Sequence, residues 1–161
     1  MAETAIADAE VQYVTLGIDQ TVFAIEVKNV REILDMRPIS RVPNGPPFLM
    51  GMLDVSGQGV PVIDLRVKLG LPAAETTEHT RFVVLEIETE GHVRLVGLKA
   101  DRVFEVTSLA ERALEPPPDL GVRWRSDYIR CIGRRKGGFV IVLDLDRLLT
   151  GEEQAAIGVA A

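Results

Sequence analysis

The sequence predicts a mainly β protein built from two small barrels in tandem, and three observations predict it. The first is an internal repeat: Gly51 to Leu69 overlays Cys131 to Leu149 at a constant offset of 80, placing Gly57 on Gly137, Asp64 on Asp144, Leu65 on Leu145 and Leu69 on Leu149. Upstream, Phe23 to Ile33 overlays Val96 to Val106 at an offset of 73, pairing Val30 with Val103 and Glu32 with Glu105. The second is composition, 47% hydrophobic but only 5% aromatic, so the apolar mass is Val, Ile and Leu, which suits strands. The third is size: 161 residues can bury one sizeable core or two small ones, and each half, roughly 70 residues, could be a minimal barrel.

Element by element, 1–10 is rich in Ala, Glu and Asp without a period and reads as a flexible N-terminal tail. The body runs over 11–150, divided into a first unit of about 11–72 and a second of about 80–150. Val11 to Ile18 and Val22 to Val27 flank Asp19-Gln20-Thr21, a strand, turn and strand. Val27, Val30, Ile33 and Leu34 fall at helical spacing among strand formers, so this segment reads either as strand or as one helical turn entering a strand. Pro43 to Pro47 cannot continue a ladder and forms a corner. Leu49 to Val55, a turn at Gly57 to Gly59, and Val60 to Ile63 make a closing hairpin. Asp64 then stands at an N-cap before a short helix, Leu65 to Leu69, stopped by Gly70 with Pro72 beyond. Ala73 to Thr80 is a polar connector. The second unit repeats the series: Phe82 to Ile87, Val93 to Leu98, Val103 to Val106, a break at Glu115 to Pro118, an undecided Trp124 to Tyr128, then Ile129 to Ile132 and Phe139 to Leu143. A helix capped at Asp144 closes it, and 151–161 reads as a flexible C-terminal tail.

Several function classes are disfavoured. A net charge of −6 repels polyphosphate at long range, which argues against nucleic acid. The sequence shows neither an 18-residue apolar run nor a basic-then-apolar leader, so the expectation is a cytoplasmic protein without direct membrane insertion. Cys131 is the one cysteine and suits a small buried hydrophobe better than a nucleophile. His79 and His92 lie in polar segments without a second ligand at metal spacing, so no metal and no cofactor is expected. Asp54, Asp64, Asp144 and Asp146 offer no converging acid and base, which disfavours a carboxylate enzyme. The glycines at 133, 137 and 138 are not followed by the Lys-Ser/Thr of a phosphate loop. The basic cluster Arg123, Arg125, Arg130, Arg134, Arg135 and Lys136 reads as an edge strand and hairpin tip guarded by charge. Barrels this small are filled by their own side chains, so function is expected on outer faces or in the groove where the two bodies meet.

The residues also carry a resemblance. Pro43-Asn44-Gly45-Pro46-Pro47-Phe48-Leu49-Met50-Gly51, with Gly57 and Val60-Pro61-Val62-Ile63-Asp64-Leu65-Arg66, resembles the signature of the CheW family of chemotaxis coupling proteins. Asp127-Tyr128-Ile129-Arg130-Cys131-Ile132-Gly133 and Val30-Arg31-Glu32-Ile33 are similar to further segments of that family, so the match runs from about Val11 to Leu149. The resemblance implies two SH3-like five-stranded β-barrels packed side by side with short capping helices. It further implies a non-enzymatic adaptor, monomeric in isolation, that binds the cytoplasmic tip of chemoreceptors and the regulatory domain of a CheA-type histidine kinase, and that is recruited to membrane-associated receptor arrays.

Carried over by position, the resemblance assigns Val30, Glu32 and Ile33 to the signalling surface and Ile25 and Val27 to a receptor-facing groove. Asn44, Asp54, Ser56, Gly57 and Arg66 complete the receptor- or kinase-binding set. Asp54-Val55-Ser56-Gly57 departs from the family's Asn-Leu-Arg-Gly: its arginine, a partner for the glutamate matching Glu32, is replaced by Ser56. Either Arg31 or Arg66 takes over as the pairing cation, or the chain couples a divergent receptor or kinase, including as an adaptor in surface motility or development. Apart from the resemblance, Asp64 and Asp144 read as helix caps, and Val27, Val30 and Ile33 read by default as core.

Overall fold

The computed structural model describes residues 10–89, 91–110, 113–116, 128–135 and 138–148. Ten strands lie among them: β1 Glu10–Ile18, β2 Thr21–Glu26, β3 Val30–Asp35, β4 Leu49–Val55, β5 Gln58–Asp64, β6 Arg81–Thr89, β7 His92–Ala100, β8 Arg102–Ala110, β9 Ile129–Arg135 and β10 Gly138–Leu143. A 3-10 turn at Val27–Asn29 precedes β3, which resolves the ambiguous segment as one helical turn entering a strand. Two four-residue helices, α1 Leu65–Lys68 and α2 Leu145–Leu148, follow β5 and β10.

The strands form two five-stranded sheets, β8-β1-β2-β10-β9 and β3-β6-β7-β5-β4. Each is the other's repeat image, but neither belongs to one half of the chain. The first sheet takes β1 and β2 from the first unit and β8, β9 and β10 from the second; the other takes the complementary set. Parallel pairs join the halves, with Phe23 opposite Ile141 and Val62 opposite Gly97. The two barrels are therefore interleaved in sequence, and 11–72 and 80–150 are repeat units from which both sheets are assembled. A half-chain is not a minimal barrel: it lacks three strands of one sheet and two of the other.

Equivalent hydrogen bonds recur through the repeat. Ser40 and Met52 exchange backbone bonds of 2.8 and 2.7 Å, and Glu115 and Ile132 exchange two of 2.8 Å, each pair drawing the chain beyond the third strand onto the fourth. The Asp64 amide donates to the Phe48 carbonyl and the Asp144 amide to the Tyr128 carbonyl, both at 2.8 Å. Both aspartates cap as expected, Asp64 Oδ1 accepting from the Arg66 amide (3.0 Å) and Asp144 Oδ1 from the Asp146 amide (3.2 Å).

Strand periodicity decides where the core sits. In β1, Val14, Leu16 and Ile18 face one side while Tyr13 faces the other; in β6, Val83, Leu85 and Ile87 alternate with Phe82 and Val84. One parity of each inner strand fills its own barrel. The other parity, with Leu65 and Leu148 from the helices, enters one core shared by both sheets. Burying each such side chain contributes about 1.5–3 kcal/mol, so the seam is the most strongly held part of the molecule. The groove expected between the bodies is thus closed at its centre by packing, and pockets open at its rim.

Candidate functional site

The strands left half outside this core are the sheet edges, and two of them match. β3 and β8 occupy equivalent edges, and each departs from regular pairing at an equivalent point: between Val30 and Glu32 in β3, and between Val103 and Val106 in β8. Such bulges bend an edge away from further strand pairing and re-aim its side chains. In β8 the irregularity is held by Thr15, fully buried, whose Oγ1 donates to the Glu105 carbonyl (2.9 Å) and accepts from the Glu105 amide (3.2 Å). Just past each bulge a large aliphatic side chain points outward, Ile33 at 42% exposure and, at the repeat-equivalent position, Val106 at 55%, with Phe104 at 46% nearby. Two edges of one design thus carry exposed apolar residues on opposite members of the repeat.

The expected site residues divide around these edges. Ile33 is exposed, Glu32, Val30 and Val27 are half-buried, and Val27 and Val30 also pack against the shared core. Ile25 is corrected from groove to core, because it is fully buried between the sheets and offers no surface to a partner. Asn44 is exposed at φ 61°, the second central residue of a turn begun by Pro43, as the Pro-then-positive-φ pattern of a type II turn requires. Asp54, Ser56 and Gly57 make the β4–β5 turn: Ser56 (φ 52°) and Gly57 (φ 83°) are both left-handed, as a type I′ hairpin demands, and Asp54 Oδ1 accepts from the Gly57 amide at 2.8 Å. Ser56 and Asp54 are exposed at that tip.

Neither proposed substitute for the missing arginine reaches Glu32. Arg31 pairs with Glu86 at 3.3 Å. Arg66, largely buried, donates to Asp101 Oδ2 at 2.6 Å and to the Pro72 carbonyl at 2.9 Å, tying α1 to the turn after β7. Arg66 is therefore a clamp of the fold. Glu32 keeps a half-buried carboxylate without an ion pair among the described residues.

The basic segment behaves as an edge. Arg130 approaches Glu26 (3.6 Å), Arg134 approaches Glu115 (3.6 Å) and lies over the Phe139 ring, and Arg135 pairs with Glu105. Arg123, Arg125 and Lys136 lie outside the described residues. Burial pushes the Cys131 thiol up, more than neighbouring Arg130 pulls it down, which disfavours the thiolate. Among the described residues no group of three or more His, Cys, Asp or Glu side chains is placed to hold a metal ion. No helix among them is long and apolar enough to cross a membrane.

Two pockets open at the rim of the seam. One, about 620 Å³, is apolar, lined by Phe23, Val67, Leu69 and Ile129 among others, with the buried Lys68 ammonium at its wall 4.5 and 5.2 Å from the ring centres of the repeat-equivalent Phe48 and Tyr128. The other, about 450 Å³, is polar and joins both sheets through Arg81 of β6, Arg102 to Glu105 of β8 and Arg135 of β9. No nucleophile, base and oxyanion donor converge in either lining.

Comparison with known proteins fits this geometry. The family model for the CheW-like domain matches residues 12–153. The chain belongs to the CheW family. It is 32% identical over 143 residues to the chemotaxis protein CheW of Klebsiella aerogenes, covering 89% of this chain and 82% of that protein. It is 31% identical to CheW of Bacillus subtilis over 140 residues, covering 84% of this chain and 85% of that one. The crystal structure of the scaffolding protein TtCheW from Thermoanaerobacter tengcongensis superposes with a TM-score of 0.79 at 24% identity, over 89% of this chain and 95% of that chain, which shows the shared fold. The curated relatives are named as chemotaxis proteins. Sequence reasoning found β3 through its Val-x-Glu-Ile segment and missed Phe104 and Val106 on β8, although the offset of 73 already pairs Ile33 with Val106.

Proposed function

We propose that this chain couples the cytoplasmic tips of chemoreceptors to the regulatory domain of a CheA-type histidine kinase, as a non-enzymatic adaptor in the cytoplasm recruited to receptor arrays. The observation that carries the reading is the pair of repeat-equivalent edge strands, β3 and β8, each presenting an exposed aliphatic residue beside a glutamate. An adaptor needs two docking faces on one rigid body, and a duplicated module supplies two of the same construction. Apolar contacts at Ile33, Val106 and Phe104 supply affinity, and the flanking charges select the partner. Glu32, without an ion pair among the described residues, offers its carboxylate to a cation of that partner. Ser56 at the β4–β5 tip favours a divergent partner set, which admits an adaptor of surface motility or development as the second reading. The test is co-sedimentation of the full chain with membranes bearing receptor signalling domains, with and without kinase. Recruitment of chain and kinase together is the expected result; a chain that stays in the supernatant with every receptor and kinase pair overturns the reading.

A further inference from the structure

The polar rim pocket is charged against the rest of the molecule. In a chain of net charge −6, its walls carry Arg81, Arg102, Arg135 and His79, with Glu105 as the lining carboxylate. Glu105 is already engaged by Arg135. Asp35 and Glu78 approach Arg81 (3.3 Å) and His79 (3.4 Å) from outside, but at 87% and 85% exposure both carboxylates are screened by water. Arg81 is anchored from behind, its Nη1 donating to the carbonyls of Glu78 (2.9 Å) and Thr80 (2.8 Å), which fixes the guanidinium without neutralising it. Arg102 makes no ion pair among the described residues, and its guanidinium stands 5.9 Å from the centre of the Phe104 ring. Val103 and Phe104 add an apolar wall.

We propose that this pocket receives the carboxylate of an acidic side chain from a partner protein, with a neighbouring apolar residue of that partner lying on Phe104. A preset Arg81 and an Arg102 without an ion pair among the described residues give an oxyanion two charge-assisted donors, and the pocket's position beside the exposed edge of β8 places that anion next to the apolar contact. Which protein supplies the carboxylate rests on the adaptor reading; that the pocket takes one does not.

The experiment is an NMR titration of the full chain with the capped peptide acetyl-Ala-Glu-Leu-Glu-Ala-amide, its Gln counterpart, and inorganic phosphate. The Glu peptide is expected to move the amide signals of Arg81, Arg102 and Phe104, the Gln peptide to leave them in place, and Arg102→Glu to weaken the response by about tenfold with an unchanged melting temperature. Arg102→Gln replaces it if the charge reversal lowers the melting temperature. Equal responses to the two peptides, no response, or a stronger response to phosphate than to the Glu peptide each overturns the proposal. Parallel co-sedimentation separates the two readings: assembly without peptide binding removes the pocket and leaves the adaptor, and peptide binding without assembly does the reverse.

Discussion

Asp64 and Arg66 show how differently local and long-range roles are written in a sequence. Asp64 and Asp144 were legible as caps because the Asp, the helix start and the accepted amide lie within three residues of one another. Arg66 was not, since its partners are the Pro72 carbonyl and an aspartate 35 positions away, brought close only when β5 lies alongside β7. Ile25 was misplaced for a related reason: a strand buried on both faces looks the same in sequence as one that turns its hydrophobic face to a partner. Asp64→Ala should lower stability by about 1 kcal/mol through loss of the cap, read as a drop in denaturation midpoint at unchanged slope. Thr15→Val strands the Glu105 amide at the bulge and should cost about 1–3 kcal/mol, whereas a variant as stable as the parent would show that the bulge is held by other contacts. Glu32→Ala should reduce co-sedimentation with receptor and kinase while the melting temperature stays put, because no ion pair among the described residues is lost; full recruitment would remove Glu32 from the proposed docking surface.

At the scale of elements, turns and hairpins were the most readable parts and edges the least. The Pro43–Pro47 corner, the β4–β5 hairpin and both terminal helices are dictated by Gly, Pro and Asp at fixed positions. Edge status is set by which strand comes to lie alongside, so the exposure of β3 and β8 required the sheet order. Gly51 shows how tightly the barrel closes: it sits at φ 147°, and a Cβ there would come within 2.2 Å of the Ser40 carbonyl oxygen. Gly51→Ala should therefore break the Ser40–Met52 bridge and cost more than about 2 kcal/mol, measurable by thermal melting. Ser56→Gly acts the other way, since it relieves a left-handed non-glycine residue in an open turn; a gain of up to about 1 kcal/mol is expected, and a loss would mean that the Ser56 side chain contributes to the hairpin.

At the scale of the whole molecule, the duplication was legible and the exchange of strands was not, because a repeat reports the similarity of two units and says nothing of which unit completes which sheet. Interleaving makes the chain a single cooperative body, with its two exposed edges β3 and β8 fixed relative to one another by the shared core. Fragments 11–72 and 80–150 should each lack a cooperative melting transition and regain one when mixed, while independent folding of either would contradict the strand order. The most direct measurement of the account is co-sedimentation of Ile33→Asp, Val106→Asp and Val93→Asp with receptor membranes and kinase. Val93 is the control, at 63% exposure the most exposed large apolar side chain among the described residues but outside both edges. The account predicts that the two edge variants lose recruitment at unchanged stability while Val93→Asp is recruited normally; equal recruitment of all three would contradict it.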